Sequence, residues 1–150
     1  MTLNGEIALR QVYDLPNPSV RRYLRSDIFG TGPVNGVCAA PSPGVNSTGC
    51  TFAGYVTSNA WGFRLGSSFN YDITKIPGLI VVLSGSYGLD VSGWSYDGSL
   101  NEGRNVASVK LRAEYKKNYY AELTYSPIWG GAFNPQRDRS VYIASMGARF

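Results

Sequence analysis

The residues best equipped for chemistry alternate along one stretch, where Lys110, Arg112 and Glu114 occupy every second position and Glu122 follows in the next run. Glu114 and Glu122 are the types an acid/base pair needs. Cations on the same wall make ion pairing their ordinary fate, because a nearby positive charge keeps a carboxylate ionised. The chain contains no histidine. That removes imidazole acid/base catalysis, His-containing metal sites and Ser-His triads. Two cysteines are too few for a thiolate metal site. No enzyme activity, catalytic residue, metal or cofactor is therefore expected.

Those charges need a strand to position them, because only a strand sends alternate side chains to opposite faces. Asn105 to Lys116 puts Ala107, Val109, Leu111, Ala113 and Tyr115 on one face and Ser108, Lys110, Arg112, Glu114 and Lys116 on the other. Tyr119 to Trp129 repeats the pattern, with Tyr119, Ala121, Leu123, Tyr125 and Trp129 opposite Glu122 and its neighbours. Thr2 to Gln11, Thr51 to Asp72, Leu79 to Ser92 and Ser140 to Phe150 complete six alternating segments. Glu6, Arg10, Arg64, Asp90 and Arg149 fall in the polar phase of theirs. Residues 12–50 form a long, proline-rich connection between the first two segments, and Ser19 to Phe29 within it has the spacing of a short helix capped by Ser19.

The chain is 150 residues long, one domain by the usual prior. Plentiful glycine, tyrosine and serine with few charges favour an all-β fold. No window approaches the ~18 apolar residues of a membrane-spanning helix. The net charge of +4 is scattered rather than striped, which argues against nucleic acid. Met1 is followed directly by strand-like sequence, so a secretion signal and further strands are expected upstream.

Loop lengths and aromatics point to a membrane barrel. The short connections, Ile73 to Gly78 and Lys117-Asn118, fall on the side where the chain ends, and the long ones fall opposite. Outer-membrane barrels are built this way, with short periplasmic turns and longer extracellular loops. Tyr71, Tyr115, Tyr119 and Phe150 mark the short-turn end of the apolar faces, and Trp61 and Trp129 mark the long-loop end, as two interfacial girdles would. The last segment, with Tyr142, Ala144, Met146, Ala148 and Phe150 in one phase, reads as a closing strand and as the signal for the barrel-assembly machinery. The fold expected is an antiparallel, up-and-down, six-stranded meander forming the C-terminal part of a transmembrane β-barrel. Six strands are too few to close in a membrane, where about eight is the small end.

At G-W-S-Y-D-G-S-L-N-E-G-R (Gly93 to Arg104) and Y-Y-A-E-L-T-Y-S-P-I-W-G-G-A-F-N-P-Q-R-D-R (Tyr119 to Arg139) the chain resembles the C-terminal end of the DUF1302 family. The resemblance covers most of the chain from about Gly54 onward, together with the opening L-N-G-E-I-A-L-R. It implies an outer-membrane barrel of Gram-negative bacteria, several times longer than this chain, acting as a channel or carrier with hydrophobic compounds as its cargo. It supplies no catalytic residues.

The charged positions Glu6, Arg10, Arg64, Asp90, Lys110, Arg112, Glu114, Glu122 and Arg149 are thus candidates for the lumen wall. They either set solute selectivity or form a structural salt-bridge network, and the network is favoured. Asp97, Glu102, Arg104, Arg137, Asp138 and Arg139 are expected at the outer rim, where they either pair loop to loop or bind anionic lipopolysaccharide, with pairing favoured. Cys38 and Cys50 suit a disulfide worth about 3 kcal/mol in the chain-entropy model, with two unpaired thiols as the alternative. Partners expected are outer-membrane lipid, the assembly machinery and the remaining strands of the barrel. The rival functions are a structural or adhesive surface protein with a blocked lumen, and a soluble lipocalin-like binder.

Overall fold

Tyrosine-, valine- and leucine-rich alternation suits a pleated surface, and glycine, proline and asparagine interrupt it at intervals. The computed structural model describes residues 1–33, 37 and 50–149. Its strands are β1 (Thr2–Gln11), β2 (Asn59–Asp72), β3 (Leu79–Ser92), β4 (Arg104–Tyr115), β5 (Tyr119–Gly130) and β6 (Arg139–Ala148). They pair in chain order, each antiparallel to the next, in one six-stranded meander. β1 and β6 are the edges, and the sheet does not close on itself.

Residues 73–78 and 116–118 make the short connections; residues 12–58, 93–103 and 131–138 make the long ones at the other end. The chain's last described residue belongs to the short end. Arg149 N–H donates to the Asn118 carbonyl at 2.7 Å, and Asn118 Nδ2 donates back to the Arg149 carbonyl at 3.1 Å.

Two expectations fail in the long connection. The second strand begins at Asn59, eight residues after Thr51. Gly54 turns the chain with φ +84°, and Thr57 N–H donates to the Trp94 carbonyl at 3.0 Å instead of to a neighbouring strand. The helix expected over Ser19 to Phe29 is also absent, leaving a single 3-10 turn at Asp27–Phe29. Arg22 Nε takes the Pro18 carbonyl, Val56 N–H takes the Tyr23 carbonyl, and Leu24 sits at φ 60°. The left-handed backbone at Leu24 interrupts any helix through this segment, and the Tyr23 carbonyl is turned to a distant partner.

Exposure along the strands runs opposite to polarity. On β5 the exposed positions are Tyr119, Ala121, Leu123, Tyr125 and Trp129, while Tyr120, Glu122, Thr124 and Ser126 are half-buried. On β4, Val109, Leu111 and Tyr115 are exposed and Lys110, Arg112 and Glu114 are half-buried. Leu3, Ile7 and Leu9 extend the exposed apolar face across β1. The sheet is inside out.

The buried apolar side chains among the described residues, Val56, Ala60, Leu100 and Phe133, lie at the long-loop end. Phe133 is the hub. Phe29 and Trp94 pack edge-on against it at 5.5 and 6.1 Å between ring centroids, and the Arg25 guanidinium lies 4.5 Å above it. Gly54 passes so close that an added Cβ would stand 2.5 Å from Phe133 Cγ, at a backbone angle only glycine adopts freely. Gly54→Ala is expected to destabilise this end by roughly 1–3 kcal/mol through combined overpacking and strain. The urea midpoint read by tryptophan fluorescence checks it, because Trp94 touches the same ring.

Candidate functional site

Strand register places the chemistry on one face. Lys110 stands opposite Thr124 and Arg112 opposite Glu122 across β4 and β5. Arg112 holds Glu114, two residues along its own strand, with Nε at 2.8 Å and Nη2 at 2.6 Å. Arg112 Nη1 also reaches Glu122 at 3.5 Å, and Lys110 Nζ approaches the same carboxylate at 3.7 Å. The Tyr120 ring lies 4.7 Å beneath the Arg112 guanidinium. Both carboxylates of the imagined acid/base pair are therefore bound to cations. Lys110, Arg112, Glu114 and Glu122 thus each have an opposite charge within reach.

A second cluster closes the same face at the long-loop end. Asp90 is fully buried, and its carboxylate accepts from Arg64 Nη2 at 2.6 Å, Arg104 Nε at 2.7 Å and the Asn101 backbone N–H at 3.0 Å. The Asp90 carbonyl also accepts from Gly103 N–H at 2.8 Å. The clamp thus ties β2, β3, β4 and the 93–103 loop to one carboxylate. Arg64 crosses Gly88, its direct partner on β3, to get there. A Cβ at Gly88 would collide with Arg64 Cδ and Nε, so this strand glycine makes the close approach possible.

Arg104 corrects the expected rim. It belongs to the start of β4 and points into the clamp with a side chain 12% exposed, rather than pairing between loops. Asp97 does lie at the rim, paired with Arg10 of β1 at 3.4 Å. Hydrogen bonds from the Ser95 and Ser99 hydroxyls, then from the Ser99 N–H, hold its carboxyl well below the ordinary 3.8. Glu102 accepts from Gly93 N–H at 2.8 Å. Among the described residues Arg137 pairs with adjacent Asp138, at 3.7 Å, and not across loops. Glu6 stands opposite Arg64 in register, but the guanidinium turns to Asp90. Arg149 has an exposed side chain at the short end of the same face.

The candidate interface aromatics sit on the other face. Tyr115 and Tyr119 are direct partners at the short-turn end, with Tyr71 two strands away. Trp61 and Trp129 stand at the long-loop end, where Trp129 contacts Tyr87 at 6.4 Å. On β6, Tyr142 stacks on Tyr125 at 4.6 Å, while Ala144, Met146 and Ala148 pair with Leu123, Ala121 and Tyr119. Phe150 lies outside the described residues. So does Cys38, while Cys50 is not a free thiol.

Alternation could not reveal Arg25 or Phe133. Arg25 donates to the carbonyls of Phe29, Thr51 and Ala53 at 2.6–3.0 Å and binds the long connection together. Phe133 carried a weak signal, as an aromatic inside a glycine-rich loop.

A single antiparallel sheet with an exposed apolar face and an ion-paired opposite face defines a class of β-sheet protein built around that polarity. Within it, the chain belongs to the family described as "Protein of unknown function (DUF1302)", whose model matches residues 1–150. The match takes in the long connection that the sequence motifs left uncovered. No curated protein and no solved structure matches the chain.

Proposed function

We propose that this chain is part of the wall of an outer-membrane β-barrel in a Gram-negative cell. The barrel acts as a channel or carrier for small solutes, with hydrophobic ones the class that the family resemblance favours. One observation carries the reading: on β4 and β5 the large apolar side chains are the exposed ones, and Lys110, Arg112, Glu114 and Glu122 are half-buried. Leu123 is 61% and Met146 87% exposed. Water does not tolerate an apolar face extending over six strands, whereas hydrocarbon does. Lipid covers that face, Tyr and Trp mark its two interfaces, and β6 ending in Phe150 engages the assembly machinery. Further strands of the same barrel cover the hydrogen-bonding edges of β1 and β6.

The paired charges of Lys110, Arg112, Glu114 and Glu122 favour one second reading, a surface protein whose lumen is blocked by its own salt bridges. The soluble lipocalin-like reading needs the apolar face inside, opposite to the exposure on β4 and β5. Planar-bilayer recording on the full-length protein discriminates. Stepwise currents are expected, and Lys110→Glu with Arg112→Glu should move the reversal potential toward cation selectivity. Silence from correctly inserted protein would favour the blocked lumen. Full solubility without detergent would revive the soluble binder.

A further inference from the structure

The short-turn end of the apolar face combines a groove with unneutralised positive charge. Lys116 N–H donates to the Gly78 carbonyl at 2.7 Å, which sets the 116–118 turn beside the 73–78 turn that carries Lys75. On its other side, Asn118 is hydrogen-bonded to Arg149. Lys75, Lys116, Lys117 and Arg149 therefore share one edge of the sheet, and among the described residues none of them forms a salt bridge. Lys116 Nζ lies 5.2 Å from the Tyr115 ring centre, at the mouth of the groove.

The groove starts at Tyr115 and Tyr119, continues over Ala113 and Ala121, and ends at Tyr125 and Tyr142. Six residue steps along β5, from Tyr119 to Tyr125, span about 20 Å. At a barrel tilt of roughly 40° that is a rise of about 15 Å, half of a hydrocarbon core ~30 Å thick. Its lining is mainly apolar, with Glu122, Thr124 and Ser145 also along it, and basic side chains gather at its short-turn end.

We propose that this surface binds an anionic phospholipid of the leaflet facing the short turns. The acyl chain lies in the groove, and the phosphate meets Lys75, Lys116 and Lys117. The inference rests on the membrane reading above and adds headgroup selectivity to it. Opposite charge supplies the preference, since each basic side chain near an anionic membrane surface contributes in the same direction. The apolar groove supplies the requirement for a chain, which a free anion lacks.

The test uses the full-length protein in detergent, exchanged into nanodiscs of phosphatidylcholine with or without phosphatidylglycerol. Native mass spectrometry then counts the lipid retained. Phosphatidylglycerol should be retained preferentially, and excess inorganic phosphate should not displace it. The combined variant Lys75→Gln, Lys116→Asn and Lys117→Asn should weaken retention about 10- to 100-fold. Asparagine suits Lys116 and Lys117 because both stand at positive φ, 52° and 60°. Equal retention of the two lipids, unchanged retention by the variant, or displacement by phosphate would each overturn the lipid site. A wild-type protein that enters no nanodisc would overturn the membrane reading as well, so the two failures are distinguishable.

Discussion

Asp90→Ala is expected to destabilise the protein by about 3–5 kcal/mol, the usual effect of removing one partner from a buried ion pair. The Asp90 side chain is 0% exposed and accepts from two guanidinium groups and one backbone N–H. Removing it leaves Arg104, 12% exposed, with an unmatched charge in a poorly hydrated site. Arg64 is 35% exposed, so water recovers part of its loss and most of the effect falls on Arg104. The Asn101 N–H loses its acceptor too, which frees the 93–103 loop from the end of β3.

Asp90→Asn should not rescue the clamp, because an amide brings donors to a site already supplied with donors. Replacing Asp90, Arg64 and Arg104 together by apolar residues of similar volume should recover most of the stability. Urea unfolding followed by Trp94 fluorescence measures all of these variants. Arg137 and Asp138, 61% and 80% exposed, give the control: breaking that pair should change stability by about 0–1 kcal/mol. An Asp90→Ala loss no larger than the control would mean that the clamp does not hold the loop end.

The contrast between these two pairs shows where sequence reading ran out. Alternation put Arg64 and Asp90 in the polar phase, because a two-residue period needs no knowledge of neighbours. It gave no reason to join them, since Gly88 had first to be recognised as the gap that Arg64 crosses. Arg104 followed a Glu-Gly pair and read as loop, although it opens β4 and turns inward. Short turns at Ile73 to Gly78 and Lys117-Asn118 made the antiparallel order legible, with register fixed by their length. The long connection was opaque for the opposite reason. Ser19 to Phe29 had helical spacing, but Leu24 takes φ 60° and the Tyr23 carbonyl is turned to Val56 N–H, a distant contact that local propensity cannot foresee. The faces were legible; the contacts between loops were not.

The assignment of those faces predicts a pair of results from adjacent residues. Leu123→Arg should destabilise the protein in a bilayer by about 2–4 kcal/mol, the effect of an arginine on a lipid-facing strand near the midplane. Thr124→Arg, one residue later, should change it by less than about 1 kcal/mol. The two positions share strand, depth and neighbours in sequence, and differ only in the side of the sheet they occupy. Thr124 stands opposite Lys110, so a new cation there meets some repulsion, with the Glu122 carboxylate near enough to Lys110 and Arg112 to moderate it. Leu123 stands opposite Leu111 and Ala144, where an arginine has no partner and hydrocarbon has no place for its charge. An exposed leucine on a water-facing surface behaves differently, since arginine substitution there stays within about 0.5 kcal/mol. Urea titration of the full-length protein in lipid vesicles reads both variants against wild type. A large loss at Leu123 alone supports lipid on the apolar face; a small loss there, or a larger one at Thr124, puts hydrocarbon on the wrong side of the sheet and removes the barrel.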